Sequence, residues 1–210
     1  MEIKRLNNIE NNDLKEIAVK MKEGRIVIFP TETVYGVGTN ALDKKACEKI
    51  FEIKGRPNNK PLIVLIYDFE MLKTIVQEPN EIEKELMEKF WPGPLTIILK
   101  KKSCISDVVT AGKEDVGIRM TSGEVARRLI EIAKVPIVAP SANLSGNPTG
   151  IKPDDIIRDL GDKVDYMIDC GYIKSETTST VIKVEDKKIK VLREGVISKK
   201  ELEKIAEIKN

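Results

Sequence analysis

Thr180-Val181-Ile182-Lys183-Val184, Glu185-Asp186-Lys187 and Lys188-Ile189-Lys190-Val191-Leu192 form the stretch that decides the fold. Two apolar-rich runs flank three polar residues, the pattern of an antiparallel hairpin. A hairpin argues against an all-parallel, doubly wound sheet. Upstream, short apolar runs alternate with helical periodicity. The expected architecture is therefore one α/β (α+β) domain over residues 1–210, a mixed sheet flanked by helices.

Working outward, Ile26–Phe29 is an apolar run ended by Pro30, and Leu62–Ile66, Leu95–Leu99, Val116–Arg119, Val135–Pro140 and Tyr166–Ile168 read as further strands. Helical spacing places Leu14, Ile17, Ala18 and Met21 on one face, with Gly24 as the stop. Asp43 is the expected cap of a helix running to the Lys54-Gly55 corner. Helices are also expected around Met71–Val76, Ile82–Phe90, Val125–Ile130, Pro153–Leu160 and Ser198–Ile208. Trp91-Pro92-Gly93-Pro94 reads as a stiff hydrophobic corner. No linker, repeat or low-complexity tract divides the chain.

Composition narrows the chemistry. The 210 residues carry 36 Lys and Arg against 34 Asp and Glu, so any basic surface must come from sorting charge, not from excess. The absence of histidine removes His-based triads and His-rich zinc sites. Cys47, Cys104 and Cys170 lie far apart, with no CxxC, and are expected to be plain thiols. No metal-ligating residue is assigned. Neither a signal peptide nor an apolar stretch near twenty residues is read, so a cytoplasmic, membrane-free location is expected. No GxGxxG follows the first strand, and there is no GxxxxGK[ST].

Four polar clusters border the apolar strands: Thr31, Glu32, Thr33 and Tyr35; Lys54, Arg56 and Lys60; Ser141, Asn143 and Ser145; and Ser179 and Thr180, with Arg193 beyond the hairpin. Strand ends are where α/β sheets place ligands. Arg56 offers a fork suited to phosphate, Lys54 a mobile point charge, and Gly36 and Gly38 a close backbone approach. No nucleophile stands beside a base. The inventory favours an anionic small molecule and catalysis by positioning and charge neutralisation, as in phosphoryl or nucleotidyl transfer with Mg²⁺ carried by the phosphates. Plainer readings stand beside these. Lys54 and Arg56 serve equally as helix C-terminal charges, Ser141, Asn143 and Ser145 as turn formers, Glu32 as a lysine's partner, and Arg193 as half of a salt bridge. Arg119, in an apolar strand, must reach a carboxylate, a bound anion or solvent.

In order along the chain, Pro30–Gly38, Lys54–Pro57, Pro61-Leu62, Trp91–Thr96, Val116–Met120, Pro140–Gly146, Ser179–Val181 and Leu192–Gly195 resemble the motifs of the YrdC/Sua5 proteins, the threonylcarbamoyl-AMP synthases, in their short, single-domain, archaeal form. The resemblance spans roughly residues 9–200. It implies a twisted mixed sheet with a large positive concave cleft. It also implies synthesis of threonylcarbamoyl-AMP and pyrophosphate from L-threonine, bicarbonate and ATP. The product serves N6-threonylcarbamoyladenosine formation at position 37 of tRNA, through a separate KEOPS-type transferase complex.

By position, the resemblance makes Lys54 and Arg56 catalytic. Thr33, Arg119 and Ser179 would bind threonine, and Thr31, Lys54, Arg56, Ser141, Asn143 and Arg193 would bind ATP. Mg²⁺ would arrive on the nucleotide. Two histidines common in the family are absent, at Leu65 and in Arg119-Met120-Thr121-Ser122-Gly123. The alternatives are a related carbamoyl-adenylate-forming enzyme and a module binding double-stranded RNA or tRNA. A monomer is expected, with Thr110–Gly112 and Gly171–Thr178 as candidate flaps.

Overall fold

The computed structural model describes residues 1–5, 11–148, 151–174 and 177–209. The chain opens with β1 (Glu2–Arg5), α1 (Asn11–Lys22), β2 (Val27–Pro30), β3 (Tyr35–Asn40), α2 (Lys44–Lys54) and β4 (Ile63–Ile66). It continues through α3 (Phe69–Ile75), α4 (Glu81–Phe90), β5 (Leu95–Lys100), α5 (Asp107–Thr110), β6 (Asp115–Met120), α6 (Glu124–Ala133) and β7 (Ile137–Val138). It closes with α7 (Pro153–Leu160), a 3-10 turn, β8 (Tyr166–Asp169), β9 (Thr180–Glu185), β10 (Lys188–Arg193) and α8 (Lys199–Leu202).

The strands form one mixed sheet in the order β1-β8-β2-β3-β7-β4-β6-β5-β9-β10. Four parallel pairs (β1 with β8, β8 with β2, β4 with β6, β5 with β9) are mixed with five antiparallel ones. Both faces are covered, which is why the central strands read as unbroken apolar runs and not as alternation. On one face Ile28, Val64, Ile66, Ile118 and Met120 join Ile50 and Phe51 of α2, Leu72 of α3, Leu86 of α4 and Leu160 of α7. On the other, Val27, Phe29 and Leu65 meet Ile17 and Met21 of α1 and Leu129 and Ile130 of α6.

Several local expectations hold at atomic detail. Asp43 caps α2 by accepting from the Ala46 N–H at 3.0 Å, and Gly55 ends that helix in the left-handed region at φ 56°. Trp91 is buried and donates Nε1–H to the Leu95 carbonyl at 2.7 Å, so the Trp-Pro corner is packed, as expected.

Others need correction. The segment after Pro30 becomes strand β3 from Tyr35, because its glycines let it lie tight on its neighbours. A Cβ at Gly38 would sit 2.4 Å from the Val138 carbonyl oxygen and 2.9 Å from the Phe29 ring. Gly38 thus serves sheet packing and not ligand approach. Strand β7 keeps only two residues. The hairpin turns on Asp186 and Lys187 alone, both at positive φ, while Glu185 pairs with Lys188. The expected helix from Ser198 to Ile208 stops at Leu202, since the chain then returns to bridge Ile208 against Ile189. Strand β1 and helix α5 carry no pattern strong enough to have announced them.

Candidate functional site: a cleft of three arginines

The pleat of the sheet assembles the site. In β6, Ile118 and Met120 point into the core beneath α2, so Gly117 and Arg119 face the opposite side. In register with them stand Ile63 and Leu65 of β4, and Leu65 is fully buried in the core beneath α1 and α6. Across β5 and β9, Thr96 pairs with Val181, and the Thr96 hydroxyl lies 2.9 Å from that of Ser179. Arg193 reaches the same face through a β-bulge. The register of β10 slips between Val191, opposite Ile182, and Arg193, opposite Val181. Were β10 regular, with Leu192 opposite Val181, the guanidinium would share the face of Ile189 and point toward the core.

The result is a cleft of about 120 Å³ lined by Thr33, Val34, Arg56, Pro61, Ile63, Arg119, Ala139, Pro140, Ser141, Thr178, Ser179 and Arg193. Three guanidiniums converge there. Arg56 is held by its own loop, with Nε donating to the Lys60 carbonyl at 3.0 Å and Nη2 to the Pro61 carbonyl at 2.9 Å. Arg193 donates through Nε and Nη2 to the Ser179 carbonyl at 3.1 and 2.8 Å, and through Nη2 to the Ser179 hydroxyl at 3.1 Å. Arg119 is 5% exposed and donates from Nη1 to the Thr33 hydroxyl at 3.2 Å. Its counter-ion is Glu32, at 3.4 Å. Burial lowers the pKa of all three arginines. Glu32 opposes the shift at Arg119, whereas Arg119 and Arg56 add to it at Arg193. The cleft is a cluster of like charges with one carboxylate behind it.

The remaining sequence-derived residues sit one layer back. Lys54 is 1% exposed, and its ammonium donates to the Ser141 and Asn143 carbonyls, each at 2.5 Å. The mobile point charge expected there is instead a fixed internal clasp. Burial and the neighbouring Arg56 push its pKa down to about 7. Asn143 bonds within its own turn, donating to the Leu144 and Asn147 carbonyls at 2.9 Å and accepting from the Ser141 hydroxyl at 2.6 Å. Thr31 closes the turn between β2 and β3. Its hydroxyl accepts from the N–H groups of Thr33 and Val34 at 3.2 Å and donates to the Val34 carbonyl at 2.7 Å.

Sequence reasoning missed Thr96, Thr121 and Thr178, the first because it lies inside an apolar strand. Its plainer reading of Glu32 offered a lysine as partner, where Arg119 stands. Of the two candidate flaps, Thr110 is buried with Ala111 and Gly112 at positive φ, while residues 175–176 of the second lie outside the described residues. A larger concavity, about 680 Å³, lies between α2 and α5. Its lining shares Arg56 with the smaller cleft, but there that single cation faces Glu48, Glu52 and Asp107 instead of two further arginines. Among the described residues no group of three or more acidic or thiol side chains is placed to hold a metal ion. No helix among them is long and apolar enough to cross a membrane.

Comparison with known proteins bears on this arrangement. Residues 19–195 match the family model Sua5_yciO_yrdC, described as "Telomere recombination". A threonylcarbamoyl-AMP synthase of Pyrococcus abyssi is 42% identical over 197 residues, covering 94% of this chain and 58% of the relative. A putative threonylcarbamoyl-AMP synthase of Methanocaldococcus jannaschii is 41% identical over 198 residues, covering 94% of this chain and 93% of the relative. The crystal structure of P. abyssi Sua5 complexed with L-threonine superposes with a TM-score of 0.92 at 40% identity, covering 99% of this chain and 62% of that one. This chain thus spans little more than half the length of the P. abyssi protein.

Proposed function

The chain belongs to the Sua5/YciO/YrdC family, and we propose that it synthesises threonylcarbamoyl-AMP from L-threonine, bicarbonate and ATP. The observation that carries the reading is the convergence of Arg56, Arg119 and Arg193 on one cleft beside the Thr33 and Ser179 hydroxyls. Such a site suits a small ligand that is anionic and carries directional polar groups.

The proposed chemistry runs in two steps. The threonine amine attacks bicarbonate, forming the carbamate N–C bond and releasing water. A carbamate oxygen then attacks the α-phosphorus of ATP. The new P–O bond forms as the bond to the β-phosphate breaks, and pyrophosphate leaves. The carbamate reverts readily, so it must be held in line and away from bulk water. Thr33, Arg119 and Ser179 are the proposed threonine ligands. Arg56, Arg193 and Ser141 offset charge on the phosphates, where it gathers in the transition state. Lys54, Asn143 and Thr31 act from behind, shaping the turns that carry Ser141 and Thr33. The lining is cationic and hydroxylic and does not suit a resident cation, so Mg²⁺ enters as part of the ATP substrate.

On this reading the protein is a cytoplasmic nucleotidyltransferase. Its product goes to tRNA through a separate KEOPS-type transferase. The rival reading is a module that binds tRNA or double-stranded RNA. The test is to incubate the protein with L-threonine, bicarbonate, ATP and Mg²⁺, then to measure pyrophosphate and threonylcarbamoyl-AMP by mass spectrometry. Product dependent on all three substrates is expected. Its absence from folded protein would overturn the reading, and RNA binding without adenylate would favour a binding module.

A further inference from the structure

Glu32 stands between two threonines whose hydroxyls bond to each other at 3.1 Å, and its carboxylate approaches the same Arg119 Nη1 of β6 that donates to the Thr33 hydroxyl. One carboxylate oxygen, Oε2, accepts the hydroxyl proton of Thr121, which is fully buried. The Thr121 hydroxyl oxygen in turn accepts from the Gly123 N–H at 3.2 Å. Gly123 lies flat on the turn that carries Glu32. A Cβ there would meet the Glu32 nitrogen at 2.8 Å and the Thr31 Cα at 2.9 Å. The other oxygen, Oε1, is 3.4 Å from Arg119 Nη1.

That ion pair is incomplete as a hydrogen-bonded unit. Glu32 Oε1 and Arg119 Nε are both buried with no hydrogen-bond partner. A buried guanidinium beside two others is costly unless a negative charge is near. A carboxylate that engaged it bidentately would take two of its five donors from a ligand. Here charge is compensated while Arg119 keeps an unpaired donor at Nε.

We propose that Glu32 is a positioning residue. Held by Thr121 and by the backbone of Gly123, it keeps Arg119 aimed into the cleft before an anion arrives, and it competes with that anion afterwards. The pocket's grip on anions is thereby kept moderate, so a charged product can leave. The inference rests on the synthase reading only for its turnover readout.

The test compares wild type with Glu32→Gln, which keeps the size and the Thr121 bond but removes the charge. Binding of inorganic pyrophosphate is measured by calorimetry, turnover by threonylcarbamoyl-AMP formation, and folding by thermal melting. Pyrophosphate is expected to bind about tenfold tighter to Glu32→Gln, since the competing charge beside Arg119 is gone. Turnover is expected to fall about tenfold. Thr121→Val leaves every charge in place, so its pyrophosphate affinity stays within about twofold of wild type while turnover falls about threefold. If Glu32→Gln binds pyrophosphate no more tightly than wild type, including the case in which neither binds, the proposal fails. Parallel loss of affinity and turnover with a lowered melting temperature would make Glu32 merely structural and would also overturn it. Should wild type make no adenylate, the synthase reading falls, yet the pyrophosphate comparison still decides the role of Glu32.

Discussion

Arg119 and Lys54 are two buried cations of the same site region, and the protein treats them differently. Arg119 lines the cleft with a carboxylate behind it and Nε unpaired. Lys54 faces inward with no carboxylate among its partners, and two backbone carbonyls take its protons. A guanidinium tolerates burial because it stays charged under nearly all conditions and binds planar anions by two bonds at once. An ammonium held only by carbonyl dipoles is easier to neutralise, and Lys54 is driven down to about 7. The pair separates a cation that meets substrate from one that builds the wall behind it.

The largest effect that would break this comparison lies at Arg119. Arg119→Lys keeps the charge but loses the fork, and turnover to threonylcarbamoyl-AMP is expected to fall about 100-fold with the fold intact. Retained turnover would show that charge alone suffices there. Lys54→Met removes the clasp and leaves two carbonyls short of a donor. Chemical denaturation should show a loss of roughly 2 kcal/mol, with turnover down about tenfold because the Ser141 turn relaxes. A far deeper loss of turnover at unchanged stability would instead make Lys54 a direct ligand.

The titration of Lys54 sharpens the same point. Its folded pKa lies below the ordinary 10.5, so between about 7 and that value the native state holds fewer protons than the unfolded chain. Stability therefore rises with pH across this window, and the cost of burying the charge is fully present below about pH 7. Measured from about pH 6 to about pH 9, the stability difference between wild type and Lys54→Met should move toward wild type by up to ~1 kcal/mol per pH unit above neutrality. A flat difference would contradict the assignment. The smallest expected effect is at Thr96→Val, which removes the hydroxyl bonded to Ser179. A cost of about 1 kcal/mol and a turnover loss of a few-fold are expected, read from melting curves and steady-state kinetics.

The sheet and its helices were legible because they rest on short-range chemistry. Apolar runs such as Leu62–Ile66 must be buried strands, Asp43 must cap, and Gly55 must end α2. The hairpin at Thr180–Leu192 correctly excluded a purely parallel sheet. Strand β3 was not announced because its glycines and hydroxyls give no apolar run. Helix α8 was overextended because amphipathic spacing does not reveal where a chain turns back to pair with a strand. At the site, the residue types pointed to an anion. They did not say which cations face it, because Lys54 and Arg56 lie only two positions apart yet end in different layers.

The sequence by itself determined the alternation of strands and helices, the hairpin, the caps and the stock of arginines, hydroxyls and glycines from which a site is made. These follow from backbone propensity and from the burial demanded by apolar side chains. Only the tertiary structure decided that Arg119 pairs with Glu32, that a bulge at Leu192 turns Arg193 into the cleft, and that Lys54 faces the wall. Each depends on the pleat and register of strands far apart in the chain, where a shift of one residue reverses the face a side chain occupies.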